Sequence, residues 1–318
     1  MIWMIWRQHR KQALFTVIGL AVLAALVVPT GLAMRNTMVS TGLDECVRLM
    51  LDSEKCNTAS RQFTNQYGWL SLVGLVFVVL PLFIGLFWGA PLVAGEVEQG
   101  THRLVWTQGV SRRRWALVKF GVIGGATVAA AVVYGFGVSW WVRPLSQAQF
   151  ESRFEVPLFD MQGLAPVGYT LFAVALGIFI GTVWPRMLPA MAFTLVGFVG
   201  VRVALTALAR PNYVPPEART HLVAGGIRPA GELNDWSLGV GVRNPDGTMV
   251  VPHGRIECGE EFTPDCGSGN GLEPGAYNWE AFQPADRFWL FQGIETGIFV
   301  ALAVVLLVLA VRATRRIA

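Results

Sequence analysis

Two charged residues stand alone in apolar surroundings. Arg202 interrupts the apolar run 187–209, and Glu295 interrupts the run 288–311. An isolated charge in such a segment is costly, so each is a candidate either to touch substrate or to lock two helices together. The stretch Gly95-Glu-Val-Glu-Gln-Gly100-Thr101 begins like a phosphate-binding loop. It departs where the chemistry matters, because no lysine stands between Gly100 and Thr101 to reach the phosphates. The chain is therefore expected to bind no ATP of its own and to need no cofactor. No H-E-x-x-H or G-x-S-x-G occurs, and His9, His102, His221 and His253 are scattered. No catalytic residue and no metal site is expected. Cys46, Cys56, Cys258 and Cys266 are the only cysteines. They suit two disulfides in an oxidising compartment, one in each loop that carries them, although three connectivities are open.

The elements that position these residues are membrane helices. Of 318 residues, 53% are hydrophobic and 14% charged, against about 25% charged in a soluble domain. Residues 13–34, 68–94, 120–142 and 164–184 carry no charge, and 187–209 and 288–311 carry one each. Each run meets the roughly 20 residues needed to cross the hydrocarbon at 1.5 Å per residue. Lipid offers the backbone no hydrogen bonds, so each must be a helix. The fold class expected is an all-α polytopic membrane protein with six spans. A leading run of this length also argues against a cleaved signal peptide.

Basic residues set the orientation. Arg7, Arg10 and Lys11 precede the first span. Arg103, Arg112, Arg113, Arg114 and Lys119 follow the second, Arg186 the fourth, and Arg312, Arg315 and Arg316 the sixth. All fall on one side, which the positive-inside rule makes cytoplasmic, with both termini there. The opposite loop 210–287 holds six Arg against eleven Asp and Glu. The net charge of +4 is too small to imply a nucleic-acid partner. The expected setting is the plasma membrane.

Four regions follow. Residues 1–12 place Trp3 near Trp6 and Ile2 near Ile5 on a helix, ahead of basic residues, which predicts an interfacial amphipathic helix. Residues 13–209 hold five spans and a cytoplasmic loop, 95–119. Residues 210–287 are a small Pro/Gly-rich extracellular cap, with strands near 236–242 and 249–251 about a turn at 244–247. Residues 288–318 are the last span and a basic tail. The second span contains Pro81 and Pro91, so it is expected to kink and is the candidate moving or pore-lining helix. Gly85/Gly89, Gly121/Gly125 and Gly177/Gly181 are spaced for close helix packing.

Within the loop, residues 96–115 run from acidic to basic, and Ser111 can cap a helix starting at Arg112. Gly95-Glu-x-Glu-x-Gly-Thr, then Trp-Thr-Gln, then Ser-Arg-Arg-Arg-Trp, ending in Lys119, resembles the loop between the first core spans of ABC-2 type permeases, with an actinobacterial style of composition. The detailed match covers about 25 residues, and the six-span layout extends it. The resemblance implies the permease half of an ATP-driven exporter. A coupling helix would dock on a separate ABC ATPase subunit, present in two copies, that binds ATP and Mg. Glu96, Glu98, Gly100, Thr101, Arg103, Arg112, Arg113 and Arg114 would form that coupling site, with the 2–12 helix as a second contact. A second permease subunit, identical or homologous, would complete the path. Apolar spans point to an amphiphilic substrate. The alternative is a membrane sensor or accessory protein whose outer loop binds a ligand or cell-envelope component. Arg202 and Glu295 each lie seven residues inside their expected outer boundaries, about 10 Å deep. They are therefore expected to form a salt bridge or to line the substrate path.

Overall fold

The structure, a computed structural model, describes residues 2–49, 53–100, 111–149, 152–225, 235–259 and 271–314; of residues 2–9 and 11–13 it describes the backbone alone. Six helices among the described residues are long and apolar enough to cross a membrane. The first belongs to α1 (Ile2–Thr41), which runs unbroken through the segment expected to lie in the membrane surface. Two short helices, α2 (Leu43–Leu49) and α3 (Glu54–Tyr67), lead into the second span, α4 (Leu70–Glu98). The third is α5 (Arg112–Ala148). A buried helix of one turn, α6 (Leu158–Met161), precedes the fourth, α7 (Ala165–Val183). The fifth and sixth spans are α8 (Met187–Asn212) and α9 (Phe288–Ala313).

The expected cap at Ser111 forms. Ser111 Oγ accepts from the Arg114 amide, starting α5 where the sequence placed it. A cap the sequence reading did not single out starts α3, where Ser53 Oγ accepts from Cys56 N. Cys46 and Cys56 are joined, which staples α2 to α3. Cys258 is also disulfide-bonded, and Cys266 lies outside the described residues.

α7 is the centre of the bundle. Its most apolar window is 72% buried, against 17–33% for the other spans. Two of the three glycine pairs explain its close fit. A Cβ on Gly177 would lie 2.5 Å from Ala90 N, and one on Gly85 would lie 2.6 Å from Ala173 Cβ. The glycines of α4 and α7 thus face each other and let the backbones touch. Gly121 and Gly125 play no such part, since a Cβ at either meets nothing within 4 Å. The expected irregularity in α4 is a π-helical turn, Gly85–Gly89, just after the buried Pro81. A second π turn, Leu205–Ala209, lies near the end of α8.

The all-α expectation holds for the spans, but the 210–287 loop is more ordered than a cap with one hairpin. It forms a four-stranded antiparallel sheet, β1 (Glu217–Leu222), β2 (Trp236–Arg243), β3 (Met249–Val251) and β4 (Tyr277–Gln283), in the order β1-β4-β2-β3. The expected hairpin is β2–β3. In its turn Gly247 has φ 88° and Asp246 Oδ1 accepts from Thr248 N at 2.9 Å. Val223, Val242, Leu272 and Ala276 form a small core beside it. The sheet is fixed to the bundle: Trp236 stacks on Phe154 with ring centroids 5.8 Å apart, and Arg287 pairs with Glu217 at 2.6 Å.

Candidate functional site

Charged side chains gather at both ends of the bundle. At the sheet end four ionisable groups from α6, α8 and α9 converge beside Tyr169 of α7. Arg210 is fully buried and grips Glu295 with two donors, Nε to Oε2 at 2.8 Å and Nη2 to Oε1 at 2.7 Å. The same guanidinium reaches Asp160 Oδ1 at 2.6 Å. Arg202 pairs with the other oxygen, Oδ2, at 2.8 Å and donates to the Val78 carbonyl at 3.2 Å. The Tyr169 hydroxyl donates to Asp160 Oδ1 at 3.1 Å and also contacts Glu295 Oε1. Tyr213 adds a donor to Glu295 Oε2 at 3.3 Å. Two cations and two carboxylates make the cluster formally neutral, which is how buried charge is best tolerated. Aromatic faces complete the enclosure, with the Arg202 guanidinium 4.1 Å from the Tyr169 ring centroid and Arg210 4.2 Å from that of Phe159. Beside the cluster, Gln292 caps α7: its Oε1 accepts from Leu164 N at 3.0 Å and Ala165 N at 2.7 Å. Gly163, at φ 65°, leaves room for that amide.

This corrects the expected Arg202–Glu295 pair. Both residues belong to one cluster, but Glu295 is held by Arg210 and Arg202 by Asp160. The expectation ended the fifth span at residue 209 and so left Arg210 in the loop, whereas α8 continues to Asn212. It likewise counted Asp160 as loop, although its flanks Phe159 and Met161 are buried. The π turn made the link hard to see. Eight α-helical steps at about 100° would place Arg202 and Arg210 about 80° apart. Discounting the residue that the π turn inserts leaves seven steps, within about 20° of two full turns. The two arginines therefore share a face and a carboxylate.

At the opposite end, Glu96 and Glu98 root the 95–119 segment in the bundle. Glu96 was expected to face a partner. Instead it is buried against Lys119 at 2.5 Å, because an ionised Lys119 that is 1% exposed needs a carboxylate beside it. Lys119 also donates to the Leu92 carbonyl at 3.0 Å. Glu98 remains exposed, and its Oε2 accepts from Met187 N at 3.1 Å at the start of α8. Gly100, at φ 70°, closes α4, its amide donating to the Val97 carbonyl at 3.1 Å. Thr101 and Arg103 lie outside the described residues. Arg112, Arg113 and Arg114 form the first turn of α5. Cations there oppose the helix dipole, at roughly 0.3–1 kcal/mol each, so helix stability does not account for them. Leu92, Val93, Trp115 and Phe120 pack together behind them.

The chain matches the family described as ABC-2 membrane transporter related over residues 17–210, which takes in the first five spans, the loop roots and Arg210. Compared with curated proteins and with solved structures, it finds no match. The match covers more than half of the chain and agrees with the resemblance carried by residues 95–119 and with the six apolar helices. The chain is thus a multi-pass membrane protein belonging to the ABC-2 membrane transporter related family, a membrane subunit of a transporter.

Proposed function

We propose that this chain is the permease half of an ATP-driven exporter in the plasma membrane, with its termini and the 95–119 segment cytoplasmic. A separate ABC ATPase, in two copies, binds ATP and Mg and docks on that segment. A second permease subunit, identical or homologous, completes the path for an amphiphilic substrate. One observation carries the coupling role. The described ends of the segment are tied at two points, Glu96–Lys119 joining α4 to α5 and Glu98–Met187 joining α4 to α8. A push on residues between them is delivered to three spans at once. Glu98 and Arg114 are exposed there for a partner.

The test is purification of the full chain from its native membrane, with its bound proteins identified. An ABC ATPase is expected to co-purify, and Glu98→Lys/Arg114→Glu is expected to weaken its retention while the spans stay folded. Consistent absence of any ATPase contradicts the proposal. A sensor or accessory role is the second reading, favoured by the sheet of 217–283, which has its own small core. Ligand binding to that sheet without an associated ATPase would select it.

A further inference from the structure

We infer that the groove between α5 and α9 is a binding site for one anionic phospholipid. The groove has a volume of about 720 Å³ and lies at the end of the bundle where α5 begins and α9 stops. Its walls are apolar, formed by Leu117 and Phe120 on one side and Val304 and Val308 on the other. Its floor is made by Gly121, Gly124 and Gly125, where a Cβ would meet nothing within 4 Å. These glycines bring no helix close; they leave the trough open. Arg113 and Arg312 stand at its mouth. Each is the second residue from the end of its helix, the level at which a span meets the headgroups. From them the trough runs inward by eight residues on α9 and twelve on α5, about 12–18 Å.

Charge decides the occupant. No carboxylate lines the groove among the described residues, so the two guanidiniums are not answered from within it. A second copy of this chain would bring the same arginines to the same level, and like charges would oppose its seating. A phospholipid places its phosphate and anionic headgroup between the arginines and one acyl chain in the trough. Basic pockets between membrane helices hold anionic headgroups on these terms. The inference rests on the membrane-spanning fold and not on ATP coupling, so the two can fail separately.

The full chain, purified in mild detergent, is titrated with phosphatidylglycerol and, separately, phosphatidylcholine, and bound lipid is counted by native mass spectrometry. Phosphatidylglycerol is expected to be retained in preference. Arg113→Gln/Arg312→Gln is expected to lower its retention about 30-fold, the effect of removing two headgroup-level cations, and to leave phosphatidylcholine unchanged. Gly124→Leu puts a side chain into the trough, where its Cβ meets nothing within 4 Å, and is expected to lower retention of both lipids. Arg35→Gln/Arg143→Gln makes the same charge change at the other end and is expected to have no effect. Unchanged retention in the Arg113/Arg312 variant overturns the inference, as does an equal loss in the Arg35/Arg143 variant. A change in oligomeric mass on Gly124→Leu with lipid retention intact also overturns it, and assigns the face to a contact between copies.

Discussion

At the sheet end Arg210 sits between two carboxylates on different helices, with Tyr169 and Tyr213 adding hydroxyl donors to them. At the loop end Lys119 meets Glu96 from the neighbouring span. The sheet-end cluster draws on α6, α7, α8 and α9, so no one helix can shift without breaking a bond made by the others. The loop-end pair joins only α4 to α5. The same chemistry of buried ion pairs thus cross-links many elements at one end and joins two neighbouring spans at the other. The π turns follow the division. Leu205–Ala209 brings Arg210 into the cluster, whereas Gly85–Gly89 seats the helix that carries Glu96 against α7.

The largest effect that would sharpen this comparison is loss of Arg210. Arg210→Ala leaves Glu295, itself fully buried, without its cation and is expected to cost about 3–5 kcal/mol. Thermal unfolding in nanodiscs is the measurement, and a change below about 1 kcal/mol would break the claim that this end is cross-linked. Lys119→Ala is expected to cost less, about 2–3 kcal/mol, because the Glu96 side chain keeps 11% of its surface exposed and water can reach it. Its larger consequence should be functional: ATP hydrolysis by the complex continues while transport falls. The exchanged pair Glu96→Lys/Lys119→Glu should recover part of both.

Removing the Cys46–Cys56 staple with Cys46→Ser/Cys56→Ser is expected to cost about 2–3 kcal/mol, since the bond closes a short loop. The loss should be confined to α2 and α3, read as faster hydrogen exchange there. The smallest effect concerns pH. Burial pushes the Glu280 carboxyl up, but the Arg219 guanidinium bonded to it and nearby Arg255 hold it below the usual carboxylate range. The stability it gives the sheet is therefore complete above the ordinary carboxylate pKa and fades as pH falls through the lowered value. Hydrogen exchange of β1 and β4 should rise over that acidic window, and Glu280→Gln should abolish the pH response.

Much of the fold was legible in the sequence because membrane burial imposes long uncharged runs, and local devices such as Ser111, the Cys46–Cys56 spacing and the Asn244–Gly247 turn act within a few residues. The glycine spacings were legible only in part. Two pairs face each other across α4 and α7, while Gly121 and Gly125 open onto the groove, and spacing alone does not say which. Strands β1 and β4 were missed because they pair with each other across about sixty residues. The cluster was missed for a related reason. Its membership depends on where α8 ends, on one inserted residue in a π turn, and on Asp160 folding back into the bundle. Neither Arg210 nor Asp160 stands inside an uninterrupted apolar run, the one signal that had marked Arg202 and Glu295. The burial of Glu96 is likewise a tertiary effect, set by Lys119 twenty-three residues later.

The central claim is that one end is fixed while the other transmits the push of a separate ATPase. Hydrogen exchange on the reconstituted complex, with and without ATP and Mg, tests it most directly. The account predicts that nucleotide changes exchange in residues 84–119 and at the start of α8 near Met187, and leaves 158–170, 205–213 and 288–296 unaltered. A nucleotide-dependent change centred on the Arg210 cluster, with the 95–119 segment unaffected, would contradict it.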